Sequence, residues 1–224
     1  MARRWELVTF DIDGTLTTVH GWRVLAERVG RLKEYERTNR GYLAGTIGED
    51  QHLSDLLRLA DGLDVPEVEA ILEETPRVDG IAEAVRAWHD EGTRVAILSH
   101  NPDYVCAWYA REFGFDGFAG TSVPAPGNGR LLLPVGVRAN KSSGLEELLR
   151  RWDLAPPTVA HVGDGWADAA IFPRVGAGVA LNSRLPEVER AADLAVHLTD
   201  LRPLPGLVDR IPPRPGGPPG SPVA

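Results

Sequence analysis

The sequence predicts an α/β protein built on a doubly wound parallel sheet, and three observations carry that expectation. Apolar runs of four to six residues alternate with segments of helical period, the pattern of βαβ units covered on both faces. Several runs stop abruptly at Asp, Ser or Gly, as strands do where a ligand crevice opens at their carboxyl ends. The chain has 224 residues with 43% apolar content, enough for one ordinary domain carrying an insertion.

The first strand is expected over residues 5–10, ending at Asp11-Ile12-Asp13-Gly14-Thr15. About 60 residues follow without a strand pattern, far longer than an ordinary crossover. They hold helical stretches near 22–32, around Leu53, Leu56, Leu57 and Ala60, and after Pro66, and read as a helical insertion large enough to cap the carboxyl edge of the sheet. Ile81, Ala84, Val85 and Trp88 then fall on one helical face. A second strand at 94–98 is closed by Ser99, with Asn101 and Pro102 expected as N-cap and first residue of the next helix, which Gly114 ends. A shorter insertion at 115–137, with Gly127-Asn128-Gly129 between apolar stretches, is expected as a small β-hairpin. Ser143 and Glu146 suggest a capping box for a helix bearing Leu145, Leu148, Leu149 and Trp152, with Lys141 just ahead of it. The next strand, 158–162, ends in Gly163-Asp164-Gly165, and short runs at 179–181 and 194–198 extend the sheet. From residue 202 onward proline and glycine dominate, and a disordered tail over 202–224 is expected.

Composition narrows the functional classes. Asp and Glu number 32 against 24 Lys and Arg, a formal charge of −8 with no basic stripe, so no electrostatic footprint for nucleic acid is present. No apolar run approaches the length of a membrane span or a signal segment, so neither membrane insertion nor secretion is expected. The single cysteine, Cys106, excludes an intrachain disulfide and a multi-cysteine zinc site, which suits a reducing cytoplasm; it reads as a core residue of its helix. Nothing in the sequence bears on oligomeric state.

Residues that follow strands converge on the crevice of an open α/β sheet. Here they are Asp11, Asp13, Ser99, Asn101, Asp164 and Asp168, with Lys141 at a helix start. Two or three aspartates at a strand end suit Mg²⁺, a hard cation that takes oxygen ligands and leaves positions for water and a phosphate oxygen. Lys141, the Ser99 hydroxyl and the loop around Gly14 and Thr15 are the candidates for the remaining phosphate oxygens. Asn101 has two readings, a helix cap and a substrate contact.

Asp-Ile-Asp-Gly-Thr after a first strand, Ser99 after a second, Lys141, and Gly163-Asp164-Gly165-Trp166-Ala167-Asp168 after another resemble, in order, the four motifs of the haloacid dehalogenase-like hydrolases, in their phosphoserine-phosphatase-like branch. The resemblance covers about residues 5–200. It implies the Rossmannoid fold of that superfamily, with a catalytic core over 1–18 and 78–201 and a helical cap over 19–77. It implies Asp11 as a nucleophile that forms an aspartyl-phosphate and Asp13 as general acid and then general base. Ser99 and Lys141 would bind the phosphoryl group. Mg²⁺ would be held by Asp11, the Asp13 backbone carbonyl and Asp164, with Asp168 orienting water or Lys141. An acid at position 13 sets the chain apart from dehalogenases, whose halide leaving group needs no proton.

Two departures bear on substrate. Phosphoserine phosphatases place a glutamate nine residues after the nucleophile and an arginine on a cap helix, which grip the amino and carboxylate groups. Here those positions hold His20 and Leu56. A buried site that leaves both charged groups unpaired rejects them by several kcal/mol, so phosphoserine is disfavoured. His20, Trp22 and Arg23 are candidates for contact with another polar phosphate ester, Trp22 by stacking on a ring; hinge packing is the alternative for the first two and plain solvation for Arg23. Ala167 stands where asparagine is common in the fourth motif. The sequence therefore predicts a Mg²⁺-dependent phosphatase acting on a small phosphorylated metabolite. Transfer to a second alcohol, and a non-catalytic phosphate-binding module on the same fold, are the alternatives.

Overall fold

The computed structural model describes residues 4–123, 140–212 and 214. Six parallel strands form one sheet in the order β3-β2-β1-β4-β5-β6: β1 (Leu7–Phe10), β2 (Arg94–Pro102), β3 (Gly117–Thr121), β4 (Val159–Gly163), β5 (Ala177–Leu181) and β6 (Leu194–Val196). The chain winds outward from β1 through β2 to β3, then crosses to β4 on the other side of β1, so the order reverses between β1 and β4. A crevice opens at the carboxyl ends of strands at such a reversal. The register aligns those ends: Phe10 pairs with Ile97 of β2 and with Val162 of β4.

Alternate side chains of the sheet serve two cores. Val8, Phe10, Val95 and Ile97 pack with Ile81, Val85 and Trp88 of α5 (Ile81–Asp90) and with Val105 and Trp108 of α6 (Asp103–Phe113). Leu7, Ala96, Leu98 and Val159 face the other way, onto Leu145 and Leu148 of α7 (Lys141–Trp152) and Ile171 of α8 (Trp166–Ile171). Strands buried on both faces read as continuous apolar runs, which is why β1, β4 and β5 stand out in the sequence. Among the described residues no helix is long and apolar enough to cross a membrane.

Between β1 and β2 lie four helices, α1 (Gly21–Arg28), α2 (Leu32–Leu43), α3 (Glu49–Leu59) and α4 (Val65–Glu74). The segments leading into and out of them run side by side, Thr17 bridging Arg77 and the Thr18 N–H donating to the Pro76 carbonyl at 3.0 Å. α2 has no counterpart in the sequence reading, because only Tyr35 and Thr38 of its twelve residues are buried and polar and charged residues dominate it. A capping box of Asp64 with Glu67, reciprocal at 2.9 and 2.8 Å, starts α4.

Five local expectations are corrected. Ser99 lies within β2, not at its end: the ladder shifts register between Leu98 and Pro102 and resumes at Pro102 opposite Thr121. Such a bulge re-aims the residues it carries, here Ser99 and Asn101. α6 accordingly begins at Asp103 with Pro102 at its N-cap. For α7 the cap is Asn140, whose Oδ1 accepts from the Ser143 N–H at 3.0 Å, so Lys141 is the first residue of the helix and no Ser143–Glu146 box forms. Residues 117–121, expected in the hairpin, are β3, whose Gly-Phe-Ala-Gly-Thr lacks an apolar run; the turn at 127–129 lies outside the described residues. The segment after 202 is not a featureless tail throughout, since beyond α9 (Pro186–Ala191) a further helix, α10 (Leu204–Val208), buries Leu204 and Val208 against α5 and Trp5.

Candidate active site

The carboxyl ends of β1, β2 and β4 and the first residue of α7 meet in a cavity of about 220 Å³, roofed by α2 and α3. Asp11, Asp13, Ser99, Asn101, Lys141, Asp164 and Asp168 all line it, as do His20 and Trp22. Lys141 is the hub. Its Nζ is 3.0 Å from Asp11 Oδ1 and also contacts Asp168 Oδ1, and the residue is only 6% exposed. Burial opposes its charge, yet the two carboxylates overcome that and hold its pKa above the ordinary lysine value.

Asp168 is the most engaged carboxylate. Besides Lys141, its Oδ1 accepts from His161 Nε2 at 2.8 Å, and its Oδ2 accepts the N–H groups of Asp164 at 3.1 Å and Gly165 at 2.9 Å. Burial pushes its pKa up, but Lys141 and His161 outweigh it and hold the carboxyl below the usual range. His161 Nδ1 in turn lies 2.8 Å from Thr9 Oγ1. The relay Thr9–His161–Asp168–Lys141 runs beneath the cavity with every member at least 94% buried.

Asp11, Asp164 and Asp168 offer carboxylate oxygens within 4.8 Å of one another. Burial, then the neighbouring acids, raise the pKa of Asp164, and burial raises that of Asp11 against the pull of Lys141. Three crowded acids with one ammonium lack positive charge, and hard oxygen donors at this spacing suit a divalent cation. Asp11 and Asp164 have oxygens to offer it, whereas Asp168 is filled by four N–H donors. Gly14 makes the approach possible: its φ is +82°, and a Cβ there would sit 2.3 Å from Asp164 Oδ2. Thr15 Oγ1 donates to Asp164 Oδ1 at 3.0 Å.

Asp13 points toward the helical insertion. Its Oδ1 accepts the Gly21 N–H, at the start of α1, at 2.6 Å, and its Oδ2 accepts from Asn101 Nδ2 at 2.9 Å. Asn101 also donates to Ser99 Oγ at 3.2 Å and accepts from Trp22 Nε1 at 3.0 Å, and the Ser99 hydroxyl hydrogen-bonds Asp11. Asn101 is therefore no helix cap; it ties Asp13, Ser99 and Trp22 together.

Three candidates sit elsewhere than expected. Gly14 gives its N–H to Thr17 Oγ1 at 3.2 Å, and Thr15 is fully buried on Asp164, so neither faces the cavity with a free donor. Arg23 is on the outer face of α1, paired with Glu27 at 3.0 Å in an exposed contact. The carboxylate of Asp13 is not part of the 4.8 Å acidic cluster. The sequence reading also missed His161, whose only signal is a histidine inside an apolar strand. We predict that His161→Leu, which removes one hydrogen-bond partner from the Thr9 hydroxyl and one from Asp168 Oδ1, costs about 2 kcal/mol of stability and lowers kcat with KM unchanged. His161→Gln, which keeps a donor, should recover part of the kcat in steady-state assays.

The model of the family described as haloacid dehalogenase-like hydrolase matches residues 8–172. A phosphoserine phosphatase of Archaeoglobus fulgidus is 30% identical over 186 residues, 81% of this chain and 54% of the relative, so the chain spans about half the length of that protein. A phosphoserine phosphatase of Idiomarina loihiensis is 21% identical over 198 residues, 87% of this chain and 90% of the relative. Among solved structures, one described as a phospho-aspartyl intermediate analogue of phosphoserine phosphatase superposes with a TM-score of 0.77 at 22% identity, covering 91% of this chain and 99% of that one, a likeness of fold. With its four motifs brought into one cleft, the chain belongs to the haloacid dehalogenase-like hydrolase family.

Proposed function

We propose that this chain, a phosphoric monoester hydrolase in the phosphoserine-phosphatase-like branch, hydrolyses a small phosphorylated metabolite other than phosphoserine, in the cytoplasm, through an aspartyl-phosphate on Asp11. The observation that carries the reading is the convergence of Asp11, Lys141 and Asp164 with Asp13 and Ser99 in one cavity. Asp11, fixed by the Ser99 hydroxyl and Lys141, attacks phosphorus. Lys141 and Ser99 draw the phosphoryl oxygens into line and offset their charge, which is where most of the acceleration in phosphoryl transfer arises. Asp13, held between Gly21 and Asn101, gives a proton to the leaving oxygen and then takes one from the water that opens the acyl phosphate. Thr15 and Asp168 are positioning residues for Asp164 and Lys141. Asp11 and Asp164 would hold Mg²⁺, which when bound neutralises carboxylate and phosphoryl charge. The helical insertion, residues 19–77, would act as a cap that excludes water from the first displacement.

Assay of the purified protein with p-nitrophenyl phosphate tests this. Turnover should require added Mg²⁺, vanish with a chelator and return on metal repletion; full activity in chelator would refute the metal assignment, and no turnover under any condition would refute the reaction.

On substrate, Leu56 lines the cavity where a guanidinium would be needed for the carboxylate of an amino acid, and His20 stands in the place of the glutamate expected after the nucleophile. We predict a kcat/KM for phosphoserine about a hundredfold below that for the best substrate of a phosphorylated-metabolite panel; phosphoserine leading the panel would overturn this.

A further inference from the structure

The wall of the cavity remote from Asp11 is unlike the reaction centre, and its chemistry defines what the leaving alcohol carries. This inference rests on the phosphatase reading above. Among the described residues, Lys141 is the single lysine or arginine on the lining, and it is held between Asp11 and Asp168. Two lining histidines add no cation: burial, then His20, lowers His52 to about 4, and burial, then Lys141, lowers His100 to about 4. Among the described residues, a second anionic group on the substrate thus finds no lysine or arginine beyond Lys141, and the remaining lining histidine, His20, lies 3.7 Å from Asp13 Oδ1.

One anion does face this end. Glu49, the first residue of α3, lines the cavity and accepts a hydrogen bond from the Tyr42 hydroxyl at 3.3 Å. That occupies one of its roughly four lone-pair sites. Its charge offsets part of the lowering that burial and Lys141 impose on His100, which also lines the cavity. Beside it the rings of Tyr42 and His52 stack at 4.3 Å with 2° between planes. On the lining the buried ring nitrogen His52 Nε2 has no hydrogen-bond partner, and His20 Nδ1 has only Asp13 Oδ1 at 3.7 Å, beyond hydrogen-bond length; such atoms are costly unless something pairs with them. A volume of about 220 Å³ must also admit the phosphoryl group, below the span usual for drug-sized ligands.

We infer that the site takes the phosphate monoester of a compact amino alcohol: a leaving group with an ammonium or amine that pairs with Glu49, hydroxyl or amine hydrogens for the unpartnered imidazoles, and no carboxylate or second phosphate. Glu49, with Tyr42 holding one of its oxygens, is the specificity-determining residue.

The test is a set of esters that differ in one charge each: O-phosphoethanolamine, glycerol 3-phosphate, O-phosphoserine and phosphoglycolate, with p-nitrophenyl phosphate as a class control. The expected kcat/KM for O-phosphoethanolamine exceeds that for glycerol 3-phosphate by about tenfold and those for the two carboxylates by about a hundredfold. Glu49→Gln should lower the ratio of O-phosphoethanolamine to glycerol 3-phosphate by about tenfold, whatever it does to the absolute rates. Turnover of p-nitrophenyl phosphate with either carboxylate ester preferred, or with that ratio unchanged by Glu49→Gln, overturns the inference and leaves the phosphatase reading standing. No turnover of any ester overturns both.

Discussion

Asp11→Asn is expected to lower kcat on any phosphate ester by about 10⁴-fold or more, since loss of a nucleophile removes the covalent route outright. The substitution is nearly isosteric and trades a buried carboxylate for an amide beside Lys141 and Ser99. Burial raises the pKa of Asp11 against the pull of Lys141, so its charged form is disfavoured by folding and losing that charge does not weaken the fold. The variant should therefore fold with a thermal midpoint close to the wild type, or above it. Circular dichroism and steady-state assay on one preparation separate the two effects. Activity within tenfold of wild type would remove Asp11 from the mechanism.

Lys141→Met is the second large effect, and it strikes stability and rate together. Lys141 is the one ammonium among Asp11, Asp164 and Asp168. Removing one member of a buried, hydrogen-bonded charge set costs about 3–5 kcal/mol, because the partners stay buried without compensation. The rate should fall by about 10²–10³-fold as well, the loss typical of one donor to a developing anion. The pH dependence has a definite sign. Asp168 is held below the usual carboxylate range, so its contribution to stability is present above the unfolded aspartate pKa and is lost as pH falls toward the folded value. The stability gap between wild type and Lys141→Met should therefore narrow as pH drops below about 4. Urea titrations across that range would show it, and a gap independent of pH would contradict the assigned pairing.

The parts of the fold legible in the sequence are those whose local pattern and tertiary role agree. β1, β4 and β5 are buried on both faces and read as apolar runs, and α5 carries its buried residues on a single stripe. α2 and β3 were not legible, since α2 buries few residues and β3 is a glycine-bearing edge strand. The bulge in β2 depends on pairing with Thr121, a residue whose partner no local pattern reveals. α10 was missed because proline and glycine usually mark loops, although Leu204 and Val208 find a buried face against α5. In the site, the acids and Lys141 were legible as motifs. Their wiring was not: Asn101 binding Asp13 crosses between two strand ends and is set by register, and His161 supporting Asp168 joins β4 to α8 and is set by how that helix packs.

The central claim is that Asp11 takes the phosphoryl group. Acid quenching during turnover of O-phosphoethanolamine or p-nitrophenyl phosphate, followed by peptide mass spectrometry, tests it most directly. The account predicts a hydroxylamine-sensitive phosphoryl group on the peptide containing Asp11, absent from Asp11→Asn. A phosphoryl group found on another residue, or rapid turnover with the Asp11 peptide never labelled, would contradict it.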